Sequence, residues 1–367
     1  MVNIARAVFG FWFTYVVGVW FCWGLYGSRF GRATGALQGN NWMAAIGVGI
    51  SYLLVAWLQV RFVVLPVLRQ KGIDDGDFTP KGNRIGRIAG LFVASGAVSL
   101  SYALKYCPSG HGQVMPLVFC GVPLVSILYT LITKPPTKES WPPKYKALFG
   151  IGFFLLLVFG WHMIGLKEIA AVGHHGAAEP NQTWKLGTAW TVLSWGLYVA
   201  LIHSGSVAMK GQDKLCKSLR ALTHVGEGYF LVAVVALGIY VLLLSGAPVA
   251  EQFSFDGGVK ALIAGIFGVG GNLCIILAIN RLGPTGPLTV PPLVFSGTPA
   301  VNTLVFLMPI FSANDWSAPE GFPLSQLIVT ILIGASGVVL VTRFKPRAPA
   351  PSAAAATPAA VPATETH

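Results

Sequence analysis

PLVFCGVPLV, residues 116–125, recurs as PLVFSGTPAV, residues 292–301. Seven of the ten positions are identical: Pro116/Pro292, Leu117/Leu293, Val118/Val294, Phe119/Phe295, Gly121/Gly297, Pro123/Pro299 and Val125/Val301. The offset of 176 residues is close to half of the 367-residue chain. A shared decamer at that spacing predicts a chain built from two related halves. Such repetition governs the fold ahead of any local feature.

Around the two decamers the chain is strongly apolar. Hydrophobic residues make up 54% and charged residues 10%, against roughly 25% charged in a soluble domain. Windows of about 20 apolar residues, the length that crosses hydrocarbon as a helix, fall near 7–26, 43–65, 85–104, 113–133, 147–166, 186–203, 221–244, 259–280, 289–311 and 324–342. The expected fold is therefore an all-α integral membrane protein of ten transmembrane helices. The first window is too long and too aromatic for a signal peptide and has no small-residue cleavage site, so it is expected to be retained. Five spans per half is an odd number, which makes the second half enter the membrane from the opposite face, giving two inverted five-helix repeats. Other matches hold nearly the same register. Trp23-Gly24-Leu25-Tyr26 is answered by Trp195-Gly196-Leu197-Tyr198 at an offset of 172; Gly49 and Tyr52 by Gly226 and Tyr229 at 177; Gly90, Gly96 and Ala103 by Gly265, Gly271 and Ala278 at 175. The expected units are residues 1–167, residues 168–345 and a disordered Ala/Pro-rich cytoplasmic tail over 346–367.

The net charge of +12 is distributed by loop. With the N-terminus inside, eighteen Lys and Arg fall in cytoplasmic segments and six in external ones. That asymmetry predicts cytoplasmic N- and C-termini and a multi-pass protein of the cell membrane, the inner membrane in a bacterium. It also gives the positive charge a role other than nucleic-acid binding, so the expected partners are a small-molecule substrate and membrane lipid. The longest inner loop, 66–84, with Asp74, Asp75 and Asp77, is expected to be a solvated connector. Asn181-Gln182-Thr183 fits a glycosylation sequon on the outer side. The five cysteines form no CxxC, and His162, His174, His175, His203 and His224 show no ligand spacing, so neither a metal nor another cofactor is expected. No loop has room for a soluble catalytic domain, and an enzyme is not expected.

Ten spans, a five-plus-five duplication, short loops, Trp-Gly-Leu-Tyr in the first and sixth spans, and Pro/Gly-marked fourth and ninth spans together resemble the drug/metabolite transporter superfamily, in particular its EamA-like members. Ala103-Leu104-Lys105-Tyr106 followed by Pro108 is similar to that family's junction after the third helix, and Ala278-Ile279-Asn280-Arg281 followed by Pro284 repeats it with Asn for Lys. The resemblance covers residues 7–342. It implies a secondary transporter that moves a small polar metabolite by alternating access; the alternative is a non-transporting membrane receptor or sensor on the same fold.

Inverted repeats place a binding site near the midplane, beside Gly/Pro interruptions. Pro123 and Pro299 each release the carbonyl four residues earlier, those of Phe119 and Phe295, which are expected to face a shared cavity unless the prolines serve packing alone. Ser126 in one copy is answered by Asn302 in the other, followed by Thr303; Asn302 suits either an asymmetric solute or a helix-to-helix hydrogen bond. Trp195 and Tyr198 complete the candidate substrate site, while Trp23 and Tyr26, near the outer end of the first window, read as interfacial anchors. Glu227, the one acidic residue inside a predicted span, is the proton-coupling candidate. It could instead pair with a nearby basic residue, Arg61 being conceivable.

Overall fold

The computed structural model describes residues 11–107, 111–133, 135, 140–170, 183–244, 254–313 and 324–346. The tail from 347, Pro108, His174, His175, Asn181 and Gln182 lie outside them. The described residues form helices and no strand. In chain order these are α1 Trp12–Ala36, α2 Asn41–Gln70, α3 Pro80–Tyr106, α4 His111–Thr133, α5 Pro143–Ala170, α6 Trp184–Ala208, α7 Lys214–Leu243, α8 Phe255–Leu282, α9 Gly286–Ala313 and α10 Leu324–Arg343.

Local chemistry sets several of the helix starts. Asn40 accepts hydrogen bonds from the Trp42 and Met43 N–H groups at 3.0 and 3.1 Å. Thr79 accepts from Gly82 N at 2.9 Å with Pro80 in the first turn, Asp213 from Cys216 N at 2.8 Å, and Ser254 from Gly257 N at 3.0 Å. Each satisfies an N–H that the first turn leaves unpaired. Gly283, at φ +64°, ends α8 in a left-handed turn that a side chain would strain. α2 and α7 both loosen to i→i+5 turns partway along, over Tyr52–Val64 and Leu231–Ala236.

Among the described residues, seven helices are long and apolar enough to cross a membrane: α2, α3, α5 (over Pro143–Met163), α6, α7, α8 and α10 (over Ser325–Arg343). The described apolar stretch of α4, Leu117–Thr133, is shorter. The exterior is apolar as well: Ile132, Leu186 and Leu243 are 79%, 74% and 76% exposed, as expected of side chains that meet lipid. α1 ends at Ala36 rather than near residue 26, because the Gly-, Ser- and Arg-containing sequence after Tyr26 continues the helix. Trp23 and Tyr26 therefore sit in the middle of α1 rather than at its end.

α1 packs on α8 and α9, α6 on α3 and α4, α2 on α7, α4 on α9, and α5 on α10. Contacts recur between corresponding residues. Trp23 Nε1 donates to the Gly268 carbonyl at 3.4 Å, and Trp195 Nε1 to the Val93 carbonyl at 3.0 Å. A Cβ on Gly271 would strike the Trp23 ring, and one on Gly96 the Trp195 ring. Gly24 lies against Val301 as Gly196 lies against Val125, and Gly49 against Ala233 as Gly226 against Ala56. Ser254 Oγ donates to the Ala36 carbonyl at 2.8 Å, and Thr79 Oγ1 to the Ala208 carbonyl at 2.7 Å. Every such pair keeps the sequence offsets of 172 to 177.

The loop between α2 and α3 departs from the expected solvated connector. Asp74 is buried, and its carboxylate accepts from the Arg220 guanidinium, which also donates to Gly76 O at 2.5 Å and Lys210 O at 3.3 Å. A buried carboxylate persists only with such a partner, and Arg220 lies at the start of α7, too far along the chain for a charge-run rule to find. Asp75 and Asp77 are exposed. The Arg69 side chain, 2.8 Å from Asp77, holds that carboxyl below its usual range by hydrogen bonding.

Candidate functional site

Trp23, Tyr26, Trp195, Tyr198, Phe119, Phe295, Pro299, Asn302 and Thr303 all line one cavity of about 400 Å³. Pro123 and Ser126 do not: both are buried outside its lining, and Ser126 Oγ donates to the Pro287 carbonyl at 3.3 Å. The cavity runs from the middle of the bundle to the end that carries the α1–α2 loop, where Phe30, Thr34, Asn41 and Leu104 border it.

Its floor is tyrosine. Tyr52 and Tyr229 stack with ring centroids 3.8 Å apart and planes 4° from parallel. Tyr198 donates to Asn272 Oδ1 at 2.7 Å, and Asn272 Nδ2 donates to the Tyr52 hydroxyl. Both polar atoms of the Asn272 amide thus have a partner, as a buried amide in an apolar helix requires, and it fixes two ring positions at once. Above the floor, the Phe295 ring centroid lies 5.7 Å from Trp23, 6.1 Å from Phe119 and 6.4 Å from Trp195. The two phenylalanines of the repeated decamer thus meet in the cavity wall. Asn302 Nδ2 donates to the Gly24 carbonyl at 3.0 Å, so it ties α9 to α1 while bordering the cavity. Thr298 Oγ1 and Thr34 Oγ1 are buried without a hydrogen-bond partner, and both residues line the cavity. Among the described lining residues none is acidic or basic.

At the opposite end the bundle is closed by polar contacts. Asn280 of α8 meets His203 Nδ1 at 3.1 Å and donates to Ser206 Oγ at 2.6 Å and Ser218 Oγ at 2.8 Å, joining α8 to α6 and α7. All four residues are buried. Beyond them the Asp74–Arg220 pair and a Lys210 N–H bond to the Asp77 carbonyl, at 3.1 Å, seal the loop layer.

Glu227 lies off the cavity. Its Oε2 accepts from Arg87 Nε at 2.9 Å and lies 2.8 Å from His224 Nδ1, a link between α7 and α3. Arg61 instead lies over the Phe78 ring, its guanidinium carbon 5.2 Å from the centroid.

Tyr52, Tyr229, Asn272 and Thr298 were not among the residues singled out in the sequence as candidates for the site. A signal for two of them was present: Asn272 aligns with Ala97 at the offset of 175, and Thr298 with Val122 at 176. Each is a polar residue where its copy is apolar.

No family model and no curated protein matches the chain. A solved structure described only as the crystal structure of a protein is similar over 93% of this chain and 98% of that one, at 14% identity and a TM-score of 0.53. At that identity the likeness speaks to the fold alone.

Proposed function

We propose that the chain is a ten-span transporter of the EamA-like drug/metabolite type, crossing the cell membrane as two inverted five-helix repeats and moving a small polar metabolite by alternating access. The observation that carries this reading is a cavity walled by both copies of the repeated decamer, reaching one end of the bundle while the other end is clasped at Asn280. The recurring Trp-to-glycine contacts support a duplicated, pseudo-symmetric frame. With the positive-inside orientation, this is an outward-facing arrangement.

A duplicated frame has two equivalent closures, and they exchange corresponding residues. The inner clasp uses Asn280, Ser206 and Ser218; the aligned outer residues are Lys105, Thr34 and Asn41. Lys105 is exposed, Thr34 Oγ1 lacks a partner, and Asn41 Nδ2 donates to Ser101 O at 3.3 Å. In the inward-facing state Lys105 closes on Thr34 and Asn41 while the Asn280 clasp opens. Glu227, held by Arg87 and away from the cavity, acts as a tie between α3 and α7 rather than as a proton carrier. Retained accumulation under a pH gradient in Glu227→Gln fits that role, and its loss would restore proton coupling.

The test is flux into liposomes carrying the purified chain, against sugars, amino acids, nucleosides and amines. Saturable flux of at least one solute is expected, abolished by Asn272→Leu. Binding without flux of any solute would favour a receptor, and neither binding nor flux would refute the reading.

A further inference from the structure

We propose that Cys22 and Cys274 are a modification site, at which a lipid-soluble quinone oxidises the two thiols to a disulfide that staples α1 to α8. This goes beyond the transport reading and depends on no solute.

Contact between the thiols comes first. α1 and α8 run antiparallel, since Ser254 at the start of α8 donates to the Ala36 carbonyl at the end of α1. A Cβ on Gly18 would stand 2.9 Å from Cys274 Sγ, and one on Gly270 would stand 3.3 Å from Cys22 Sγ. Each thiol therefore lies over the glycine one turn before the other cysteine. Side chains lean towards the N-terminus of their own helix, so on antiparallel helices these two lean towards each other, and the thiols hydrogen-bond. The Cβ atoms of a disulfide stand about 3.8 Å apart. Glycine opposite each cysteine removes the side chain that would hold the two helices away from that approach.

Access is the second observation. Trp23 and Asn272 line the cavity, whereas Cys22, Cys274, Gly18 and Gly270 do not. Both cysteines are nonetheless partly exposed, and Phe21 beside Cys22 and Ile266 one turn before Gly270 are 57% and 51% exposed. The thiols thus open on the outer, apolar side of the α1–α8 seam, where an oxidant dissolved in lipid meets them. At the matching α3–α6 seam the equivalents of Cys22 and Cys274 are Ser194 and Ser99, at offsets of 172 and 175. Serine takes both places there, so packing of such a seam does not require the thiols.

In the reaction both S–H bonds break and one S–S bond forms. Two electrons and two protons pass to the quinone, which becomes a quinol. A dithiol reductant reverses the link by exchange through a mixed disulfide. Joining residues so far apart in the chain restricts the unfolded state and raises the unfolding temperature.

The test treats the full-length protein in liposomes with decylubiquinone, whose fully substituted ring cannot add to sulfur. Denaturation, maleimide labelling and intact mass then count the free thiols. The reduced chain has five, and three are expected after treatment, with Cys22 and Cys274 joined in one linked peptide. Dithiothreitol is expected to restore all five, and the oxidised chain to unfold at a higher temperature than the reduced one. Cys22→Ser and Cys274→Ser are each expected to lose no further thiol to the quinone. Because serine holds both equivalent places in the other half, each variant is expected to fold, which an unfolding temperature equal to that of the reduced chain checks. Five thiols after treatment, a link through another cysteine, thiol loss in either serine variant, or an unchanged unfolding temperature on oxidation would each overturn the proposal. Solute flux is measured separately and bears on the transport reading alone.

Discussion

The α1–α8 and α3–α6 interfaces are made of the same parts. In one, Trp23 closes over Gly271 and donates to the Gly268 carbonyl; in the other, Trp195 closes over Gly96 and donates to the Val93 carbonyl. The difference begins one residue beyond the glycine. Gly271 is followed by Asn272, which organises two tyrosines, whereas Gly96 is followed by Ala97, which organises none. Further along, Asn280 clasps α6 and α7 where Lys105 stands exposed. The tryptophan–glycine contacts and their hydrogen bonds recur at both interfaces, whereas the amide contacts of Asn272 and Asn280 stand where the aligned residues differ.

That contrast can be broken at points of decreasing cost. The largest effect is expected at the Asp74–Arg220 pair, which has no counterpart in the other half: Met43 aligns with Arg220. Asp74→Asn leaves a buried guanidinium without its charge partner and should cost about 3–5 kcal/mol, read as a large fall in thermal unfolding temperature. Replacing both partners with apolar residues should recover much of it. Next come the matched glycines. Gly271→Val and Gly96→Val each push a side chain into a tryptophan ring and should cost about 1–3 kcal/mol. The costs should be alike, and a clear inequality would mean the two interfaces are less equivalent than their contacts suggest. Asn272→Leu should cost about 1–3 kcal/mol through two tyrosine hydroxyls left without their partner, whereas Ala97→Leu, at the equivalent place, disturbs no such bond. The smallest effect is expected at Glu227→Gln. Arg87 is half-exposed, so loss of that pair should cost under about 1 kcal/mol in thermal unfolding.

Each of the ten apolar windows overlaps one of the ten described helices, and seven of these are long and apolar enough to cross a membrane, because a span demands a long uninterrupted apolar stretch that composition alone displays. The end of α1 was misplaced because polar residues beyond a membrane boundary continue a helix without an apolar signature. Phe119, Phe295, Trp195, Tyr198, Pro299 and Asn302 share one cavity, and repetition in the sequence had singled them out. Pro123 and Ser126 fall outside because equivalent positions on α4 and α9 meet different surroundings: Ser126 faces the Pro287 carbonyl, and Asn302 faces Gly24. Asp74 and Asn272 were hidden for a common reason. Each depends on a partner far along the chain, Arg220 in one case and Tyr198 with Tyr52 in the other, and no local pattern encodes such pairings.

The central claim is that the two ends open in alternation, and one pair of equivalent residues reports on it. Leu104 lines the open cavity, and Ile279, its equivalent at the offset of 175, is 0% exposed beneath the Asn280 clasp. Single cysteines at these positions, in a chain lacking its five native cysteines, can be labelled with a permeant maleimide in liposomes. Combining them with Ser206→Ala and Ser218→Ala removes both acceptors of the Asn280 amide. Labelling at 279 should then rise about tenfold while labelling at 104 falls. A rise at both positions, or no change at either, would contradict alternating access.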